Sequence, residues 1–198
     1  METLEKVILV DDDDRQIGTG EKHEVHRQGS LHRAFSVIIW DSAERLLLQQ
    51  RSDNKYHSGG LWTNACCGHP RPGEECAAAA QRRLRQEMGF DCPLVALGTI
   101  RYRAELDHDM IEHEIVHVFQ GVHDGAITPD PEEAQAYRWA AAQRRLQQEM
   151  GFDCPLVGLG TIRYRAELDH DMIEHEIVHV FQGVHDGAIA PDPEEAQA

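Results

Sequence analysis

The chain has 198 residues, of which 41% are hydrophobic and 27% charged, and this composition is typical of a folded globular protein rather than a disordered one. Its 35 acidic and 19 basic side chains give a formal net charge of −16, which disfavours nucleic acid and anionic lipid as partners. The longest apolar run, Ala34 to Trp40, is too short to span a bilayer, and the N-terminal segment lacks a secretory pattern, so we expect a cytoplasmic protein without a membrane partner.

Two β-hairpins are predicted in the first third of the chain. Val7 to Val10 and Ile17 to Lys22 flank an aspartate-rich turn and form the first hairpin. Arg33 to Trp40 and Leu46 to Arg51 form the second, and the continuous apolar stretch in Arg33 to Trp40 predicts a strand buried on both faces. Ser52 to Pro72 is polar and contains several glycine and proline residues, which predicts a loop.

One helix and two further strands are predicted downstream. Glu74 to Met88 is rich in helix-forming residues, has acidic residues at its start and is followed by Gly89, a typical helix end. Ala80, Leu84 and Met88 lie four residues apart, which predicts an apolar helix face, and Arg83 and Glu87 lie four apart on a polar face. Leu94 to Tyr102 and Glu112 to Val122 are predicted to be strands. This order of elements predicts an α/β or α+β protein with a mixed sheet.

An internal copy dominates the second half of the chain. Residues 78–136 recur as residues 140–198 with an offset of 62, and 56 of the 59 positions are identical. Solenoid proteins contain three or more diverged repeats, so we interpret the two near-identical blocks as a tandem duplication rather than a repeat architecture. We therefore expect residues 1–139 to form the domain and residues 140–198 to be an added segment.

The predicted helix and its two flanking loops resemble the Nudix box, whose family pattern is G-x5-E-x7-R-E-U-x-E-E-x-G-U with U aliphatic. The matching residues are Gly68, Glu74, Arg82, Leu84, Glu87 and Gly89. Arg83 and Gln86 stand where hydrolases of this family have glutamates that hold magnesium. Because Mg²⁺ needs carboxylate oxygens to replace its lost water, the two substitutions are expected to weaken a hydrolytic metal cluster.

Four further segments resemble type 1 isopentenyl diphosphate isomerase, a divergent Nudix-fold enzyme: GEKHEVHRQGSLHRAFS, QQRSDNKYHSGGLWTNACCGHP, IRYRAE and EHEIVHVF. The resemblance runs from about Val7 to Trp139, and WTNACCGHP is its most specific part. It implies a Nudix-like mixed β-sheet sandwiched by helices. It also implies a reversible shift of a double bond between isopentenyl and dimethylallyl diphosphate.

Such a reaction protonates one carbon and removes a proton from another, so it needs two acid/base groups on opposite sides of the substrate. The resemblance implies that Cys67 and Glu114 form this pair, with Tyr102 beside Glu114. Cys67 precedes Gly68 as the family's catalytic cysteine does, and Cys66 is then a spare thiol.

A metal site also follows from the resemblance. In the family a divalent ion lies among three histidines and two glutamates, which match His26, His32, His69, Glu112 and Glu114. The two-residue period of a strand puts both glutamates on one face. Mixed imidazole and carboxylate ligation suits Mn²⁺, Mg²⁺ or Zn²⁺, and the choice among them stays open.

A diphosphate needs cations, which an acidic protein must concentrate locally. The positions that match the family's diphosphate contacts are Lys22, Arg51, Lys55 and Arg83. Glu87 matches a residue that helps to hold a second Mg²⁺ on the substrate.

The copied block follows Trp139, where family members continue into a helix and an aromatic segment. The tryptophan that closes over the hydrocarbon in the family therefore has no match here, and turnover is expected to suffer. The copy repeats Glu176 and Tyr164 but no counterpart of Cys67, so it is not expected to form a second active site.

Several alternatives remain open from the sequence. Three candidate functions compete. The first is a metal-dependent isomerase, the second is a Nudix hydrolase of diphosphates, and the third is a metal- or ligand-binding remnant inactivated by the duplication. Ala140 to Met150 is expected to supply a terminal helix, followed by an added hairpin or a mobile segment. The copy could instead displace residues 78–136 from the sheet, because looping out 62 residues costs little closure entropy. The oligomeric state also stays open.

Overall fold

The computed structural model describes residues 5–55, 58–141, 156–168 and 172–183. The helices and strands are β1 Lys6–Val10, β2 Gln16–Glu21, α1 Lys22–Gln28, β3 His32–Trp40, β4 Arg45–Arg51, β5 Trp62–Asn64, β6 Cys66–Gly68, α2 Cys76–Met88, β7 Val95–Glu105, β8 Ile111–Val122, β9 Ala134–Ala141, β10 Leu156–Leu168 and β11 Met172–Gly183, with a short 3-10 turn at Asp107–Asp109. In these segments, neither α-helix has the length and apolar character needed to cross a membrane.

Strand β3 lies at the centre of a mixed nine-stranded sheet. β8 runs parallel to one edge of β3, with His32 opposite Glu114, and β6 pairs antiparallel with the other edge, with Ser36 opposite Cys67. The predicted second hairpin is confirmed at its turn, where the N–H of Asp41 donates to the carbonyl oxygen of Arg45 and Trp40 of β3 lies opposite Leu46 of β4. Beyond this one antiparallel pair, β4 pairs with β5 and β9 rather than with β3. β8 pairs with β3 along one edge and β6 pairs with its middle residues on the other, so β4 meets β3 only at the end of the strand.

Helix α2 packs on one face of the sheet and forms the main core with β3. It ends at Gly89, whose φ of 73° suits a residue without a Cβ atom. Ala80, Leu84 and Met88 are all fully buried, so the predicted apolar face is confirmed. The two acidic residues predicted in the first turn, Glu74 and Glu75, lie just before it.

The connecting segments differ from the predictions in four places. Lys22 begins α1 rather than ending a strand, and the predicted loop Ser52 to Pro72 contains β5 and β6. These strands have three residues each, which is too short for a periodic pattern to show. β9 was not predicted, and its last residues, Ala140 and Ala141, pair with β4, so no helix begins at Ala140. The rest of that predicted helix, residues 142–150, lies outside the described residues.

β10 and β11 form a hairpin in the copied block, and this hairpin repeats the backbone register of β7 and β8. Tyr102 lies opposite Glu114 in the first copy, and Tyr164 lies opposite Glu176 in the second. The added hairpin predicted from the sequence is therefore present. β8 of the first block occupies the place beside β3, so displacement of residues 78–136 by the copy is not the arrangement found.

Candidate active site

A cavity of about 270 Å³ opens on the sheet between α2 and the strands that flank β3. The predicted site residues that line it are Lys22, Arg51, Lys55, Cys67, His69, Arg83, Glu87, Tyr102, Glu112 and Glu114. The remaining two, His26 and His32, are fully buried beside His69. One cavity therefore brings together residues from both helices and from strands that are distant in the chain.

Three histidines and one glutamate converge at one end of the cavity. A ligand atom from each of His26, His32, His69 and Glu114 lies within 4.8 Å of the others. His69 Nε2 is 3.0 Å and His32 Nε2 is 3.3 Å from Glu114 Oε1, and the two Nε2 atoms are 3.1 Å apart. Imidazole nitrogens with a carboxylate oxygen form a donor set for a divalent cation.

The backbone orients two of these rings. His26 Nδ1 lies 2.7 Å from the carbonyl oxygen of Lys22, and His32 Nδ1 lies 2.8 Å from that of Ser30. Because a carbonyl oxygen only accepts, both Nδ1 atoms donate, and each Nε2 is the atom that can bind a cation when its ring is neutral. The cluster therefore has the ring orientation that metal-binding histidines require.

Burial and mutual repulsion set the charges of the cluster. Burial, together with the nearby imidazoles, lowers the pKa of His26 to about 4. Burial would also lower the pKa of His32, but its hydrogen bond to Glu114 outweighs this and raises it. Burial lowers the pKa of His69. Although burial disfavours a carboxylate, the His32 and His69 hydrogen bonds hold the pKa of Glu114 well below its usual value, so Glu114 is ionised.

Glu112 was predicted as a ligand beside Glu114. Its carboxylate accepts a hydrogen bond from Tyr102 and lies outside the group formed by the three histidines and Glu114. The Tyr102 hydroxyl is 2.8 Å from Glu112 Oε2 and 3.0 Å from Glu114 Oε2. Burial and the two carboxylates raise the pKa of Tyr102 well above its usual value, so its proton stays on the phenol. Tyr102 thus links the cluster to the cavity as a proton donor.

Cys67 lies on β6, across β3 from Glu114. Its Sγ atom is 3.4 Å from the hydroxyl of Ser36 and 3.9 Å from that of Thr63. Burial raises the pKa of Cys67 to about 11, although both hydroxyls oppose the shift, so the group is a neutral thiol near pH 7. Cys66 is fully buried in the core.

The predicted diphosphate-binding cations come from several elements. Lys22 Nζ is 3.0 Å from Glu5 Oε2, and Arg51 Nε donates to the carbonyl oxygen of Ser58 over 3.2 Å. Lys55 forms an ion pair with Glu133. Each of these side chains lines the same cavity.

Arg83 joins two carboxylates within the cavity. Its Nη2 atom is 2.7 Å from Glu87 Oε1 and 3.0 Å from Glu133 Oε2. Glu87 also accepts a hydrogen bond of 2.9 Å from the buried Gln49 side chain. The helical spacing of Arg83 and Glu87 predicts their contact, as the ion pair confirms.

Two acidic residues of the cavity, Glu5 and Glu133, were not predicted. Glu5 directly precedes β1, and Glu133 directly precedes β9. Neither belongs to a sequence motif that points to the site, and their roles depend on chain segments that fold back beside α1 and α2. The sequence therefore shows only that each is an acidic residue just before a strand, which does not point to the cavity.

Comparison with known proteins identifies the fold and the family. Residues 30–140 match the NUDIX domain family. The isopentenyl-diphosphate Delta-isomerase of Burkholderia multivorans is 57% identical over 135 residues, which cover 68% of this chain and 77% of that protein. The chain belongs to the isopentenyl-diphosphate Delta-isomerase family. The enzyme of the same name from Serratia proteamaculans is 54% identical over 140 residues, 71% of this chain and 78% of the relative.

Solved structures agree on the fold of this isopentenyl-diphosphate Delta-isomerase family member. DR0079 from Deinococcus radiodurans superposes with a TM-score of 0.60 at 17% identity, covering 72% of this chain and 86% of that one. The MutT protein from Methanosarcina mazei Go1 gives a TM-score of 0.51 at 21% identity, with coverage of 60% and 83%. The predicted α/β class and Nudix-like fold are confirmed, and family membership implies that a divalent metal is used.

Proposed function

We propose that this chain interconverts isopentenyl diphosphate and dimethylallyl diphosphate. The observation that carries the proposal is that one cavity contains the Cys67 thiol on one side of β3 and the Glu114 carboxylate with Tyr102 on the other. Its relatives bear the name of this isomerase. A cavity with acid/base groups on two sides suits a reaction that adds a proton at one carbon and removes one at another.

The chemistry needs no net reagent. A proton adds to the terminal CH₂ carbon of isopentenyl diphosphate, and the positive charge develops at the tertiary carbon. Loss of a proton from the CH₂ group that adjoins this tertiary carbon, on the side towards the diphosphate, then forms the new double bond. The reverse reaction uses the same two proton transfers in the opposite order, so each acid/base group must be able to give and accept a proton.

Three residues are assigned to the proton transfers. Cys67 supplies a neutral thiol, since burial raises its pKa to about 11. Glu114 supplies an ionised carboxylate, and Tyr102 supplies a hydroxyl hydrogen-bonded to it. We assign one proton transfer to Cys67 and the other to the Tyr102–Glu114 pair, with the roles exchanged in the reverse reaction.

Metal ligation is assigned to His26, His32, His69 and Glu114, with Glu112 as the fifth ligand taken from the family resemblance. Three imidazoles favour Mn²⁺ or Zn²⁺ over Mg²⁺ at this site. A divalent cation bound there supplies positive charge beside Glu114 and Tyr102, which eases release of the Tyr102 proton.

The diphosphate is assigned to Lys22, Arg51, Lys55 and Arg83, which line the cavity. Glu87 is assigned to a Mg²⁺ ion carried by the substrate, because its carboxylate faces the same cavity. Glu87 is the one metal-binding glutamate of the hydrolytic Nudix set that remains, because Arg83 and Gln86 replace the others. Binding of the diphosphate is therefore favoured over its cleavage.

We assign this activity to residues 1–139 and regard residues 140–198 as a duplicated segment without a second active site. The catalytic cysteine and the three histidines occur only in the first part. The substrate is a small diphosphate, and the net charge of −16 disfavours nucleic acid as a partner. A cytoplasmic location is part of the proposal.

Product analysis tests the proposal. The purified chain is incubated with radiolabelled isopentenyl diphosphate, Mg²⁺ and Mn²⁺, and the acid-labile allylic product is separated from the acid-stable substrate. We expect label in the allylic fraction and no released phosphate or pyrophosphate. Released pyrophosphate would favour the hydrolase, and tight substrate binding without either product would favour an inactive remnant.

A further inference from the structure

Glu133 lies where two cations of the cavity meet. Lys55, in the turn that follows β4, forms an ion pair with Glu133 Oε2. Arg83 of α2 approaches the same oxygen with Nη2 at 3.0 Å, and its Nη1 is 3.3 Å from Glu133 Oε1. One carboxylate therefore binds two cationic side chains that are far apart in the sequence.

The backbone around Glu133 is held on two sides. Its carbonyl oxygen accepts a 3.0 Å hydrogen bond from the N–H of Ser52, which lies close to Lys55 in the chain. Its N–H donates to the carbonyl oxygen of Asp130 over 2.9 Å. The N–H of Asp130 in turn donates to the carbonyl oxygen of Glu87, also over 2.9 Å. Glu133 is thus attached to both the Lys55 turn and the end of α2.

A carboxylate in this position offsets the repulsion between two neighbouring positive charges. Without it, the flexible Lys55 side chain would turn to solvent, and Arg83 would keep its contacts with Glu87 and Gln86 on its own helix. Burial alone would raise the pKa of Glu133, but the ion pairs with Lys55 and Arg83 hold it below its usual value, so the carboxylate is charged.

We infer that Glu133 is a positioning residue, which holds Lys55 and Arg83 together so that the cavity offers a preformed cation pair to a diphosphate. This inference rests on the proposed function, because it assigns a role at the same substrate site. Preformed cations bind a diphosphate more tightly, since their ordering does not have to accompany binding.

The test replaces Glu133 and measures binding and turnover separately. We expect Glu133→Ala to raise the KM for isopentenyl diphosphate by about tenfold, the scale of one charge-assisted hydrogen bond, with kcat changed by less than about threefold. The Kd for inorganic pyrophosphate with Mg²⁺, measured by calorimetry, should rise by the same factor. Glu133→Gln retains hydrogen-bond acceptance without the charge and should give a smaller rise in both constants.

Glu132→Ala is the matched control, because Glu132 is exposed, neighbours Glu133 and carries the same charge. It should leave KM and Kd unchanged. In a Lys55→Ala background, Glu133→Ala should cost less than it does alone, because part of its effect acts through Lys55. A purely structural role for Glu133 would not produce this coupling.

An unchanged or lower KM in Glu133→Ala or Glu133→Gln would overturn the inference, because the carboxylate would then compete with the diphosphate. Loss of pyrophosphate binding in Glu133→Ala, in a chain that forms no dimethylallyl diphosphate, would support the inference while refuting the proposed function. Isomerisation by the native chain with an unaltered pyrophosphate Kd in the variant would refute the inference alone. If Glu133→Ala does not fold, Glu133→Gln decides between these outcomes.

Discussion

Replacing Glu114 with glutamine should remove most of the activity, whereas the same change at its copy, Glu176, should not. Glu114 is opposite His32 on β3, and its carboxylate contacts two imidazoles and the Tyr102 hydroxyl. Glu176 occupies the equivalent register position in the hairpin of β10 and β11, which does not pair with β3. The duplication therefore provides a control with the same local sequence and the same chemical change.

The structure sets the expected size of the effect. Glu114 Oε1 lies 3.0 and 3.3 Å from two imidazole nitrogens, so an amide in its place removes the negative charge from the centre of the cluster. Losing an acid/base group costs about 10²- to 10⁴-fold in rate, and a weakened metal site adds to this. We expect kcat/KM of Glu114→Gln to fall at least about 10³-fold, or about 4 kcal/mol.

The assay measures conversion of isopentenyl diphosphate and bound metal per chain for both variants and the native protein. Glu176→Gln should retain activity within about twofold, since nothing is removed from the first copy. Near-native activity in Glu114→Gln that disappears in the double variant would refute this reasoning. That result would mean that the second copy supplies the carboxylate.

Three further predictions concern burial. Because burial raises the pKa of Cys67 to about 11, its alkylation by iodoacetamide, followed by peptide mass spectrometry, should accelerate about tenfold per pH unit from pH 7 to 10; a plateau below pH 9 would contradict this. Leu84→Ala removes a fully buried side chain of α2 and should lower the free energy of unfolding by about 3 kcal/mol in urea titrations, and a loss below about 1 kcal/mol would contradict the proposed core. Burial lowers the pKa of His26 to about 4, so its neutral ring stabilises the fold above its unfolded pKa of about 6.5 and this stability is lost as the pH falls towards 4. In metal-free protein, His26→Asn should flatten that pH dependence, and an equal slope in both proteins would count against it.

The sequence predicted well those features that depend on local pattern. The apolar run of β3 predicted a buried strand, and the four-residue spacing of Ala80, Leu84 and Met88 predicted the buried face of α2. A single short motif pointed to both Cys67 and His69, because only Gly68 separates them in the chain. The structure brings them together with Tyr102, which is far away in sequence, only through the pairing of β6, β3 and β8.

Features that depend on long-range pairing were predicted poorly. The turn between β3 and β4 correctly predicted a hairpin, but not that its strands would share only one residue pair. The rest of β3 pairs with β6 and β8, and β4 pairs mainly with β9. β9 includes four alanines that favour helix in isolation, and its strand conformation comes from pairing with β4. Glu133 was missed because its role depends on contacts with Lys55 and Arg83, which no local pattern reveals.

Cys67 and the Tyr102–Glu114 pair are proposed to move protons on the two sides of one small diphosphate. Proton and deuterium NMR of isopentenyl diphosphate incubated in D₂O with the full chain, Mg²⁺ and Mn²⁺ tests it most directly. We predict deuterium in a methyl group of dimethylallyl diphosphate and, through the reverse reaction, at the CH₂ carbon of isopentenyl diphosphate that adjoins the tertiary carbon, and no deuterium with the Cys67→Ala variant. Undeuterated substrate recovered from folded, metal-loaded protein, or full exchange in Cys67→Ala, would contradict the account.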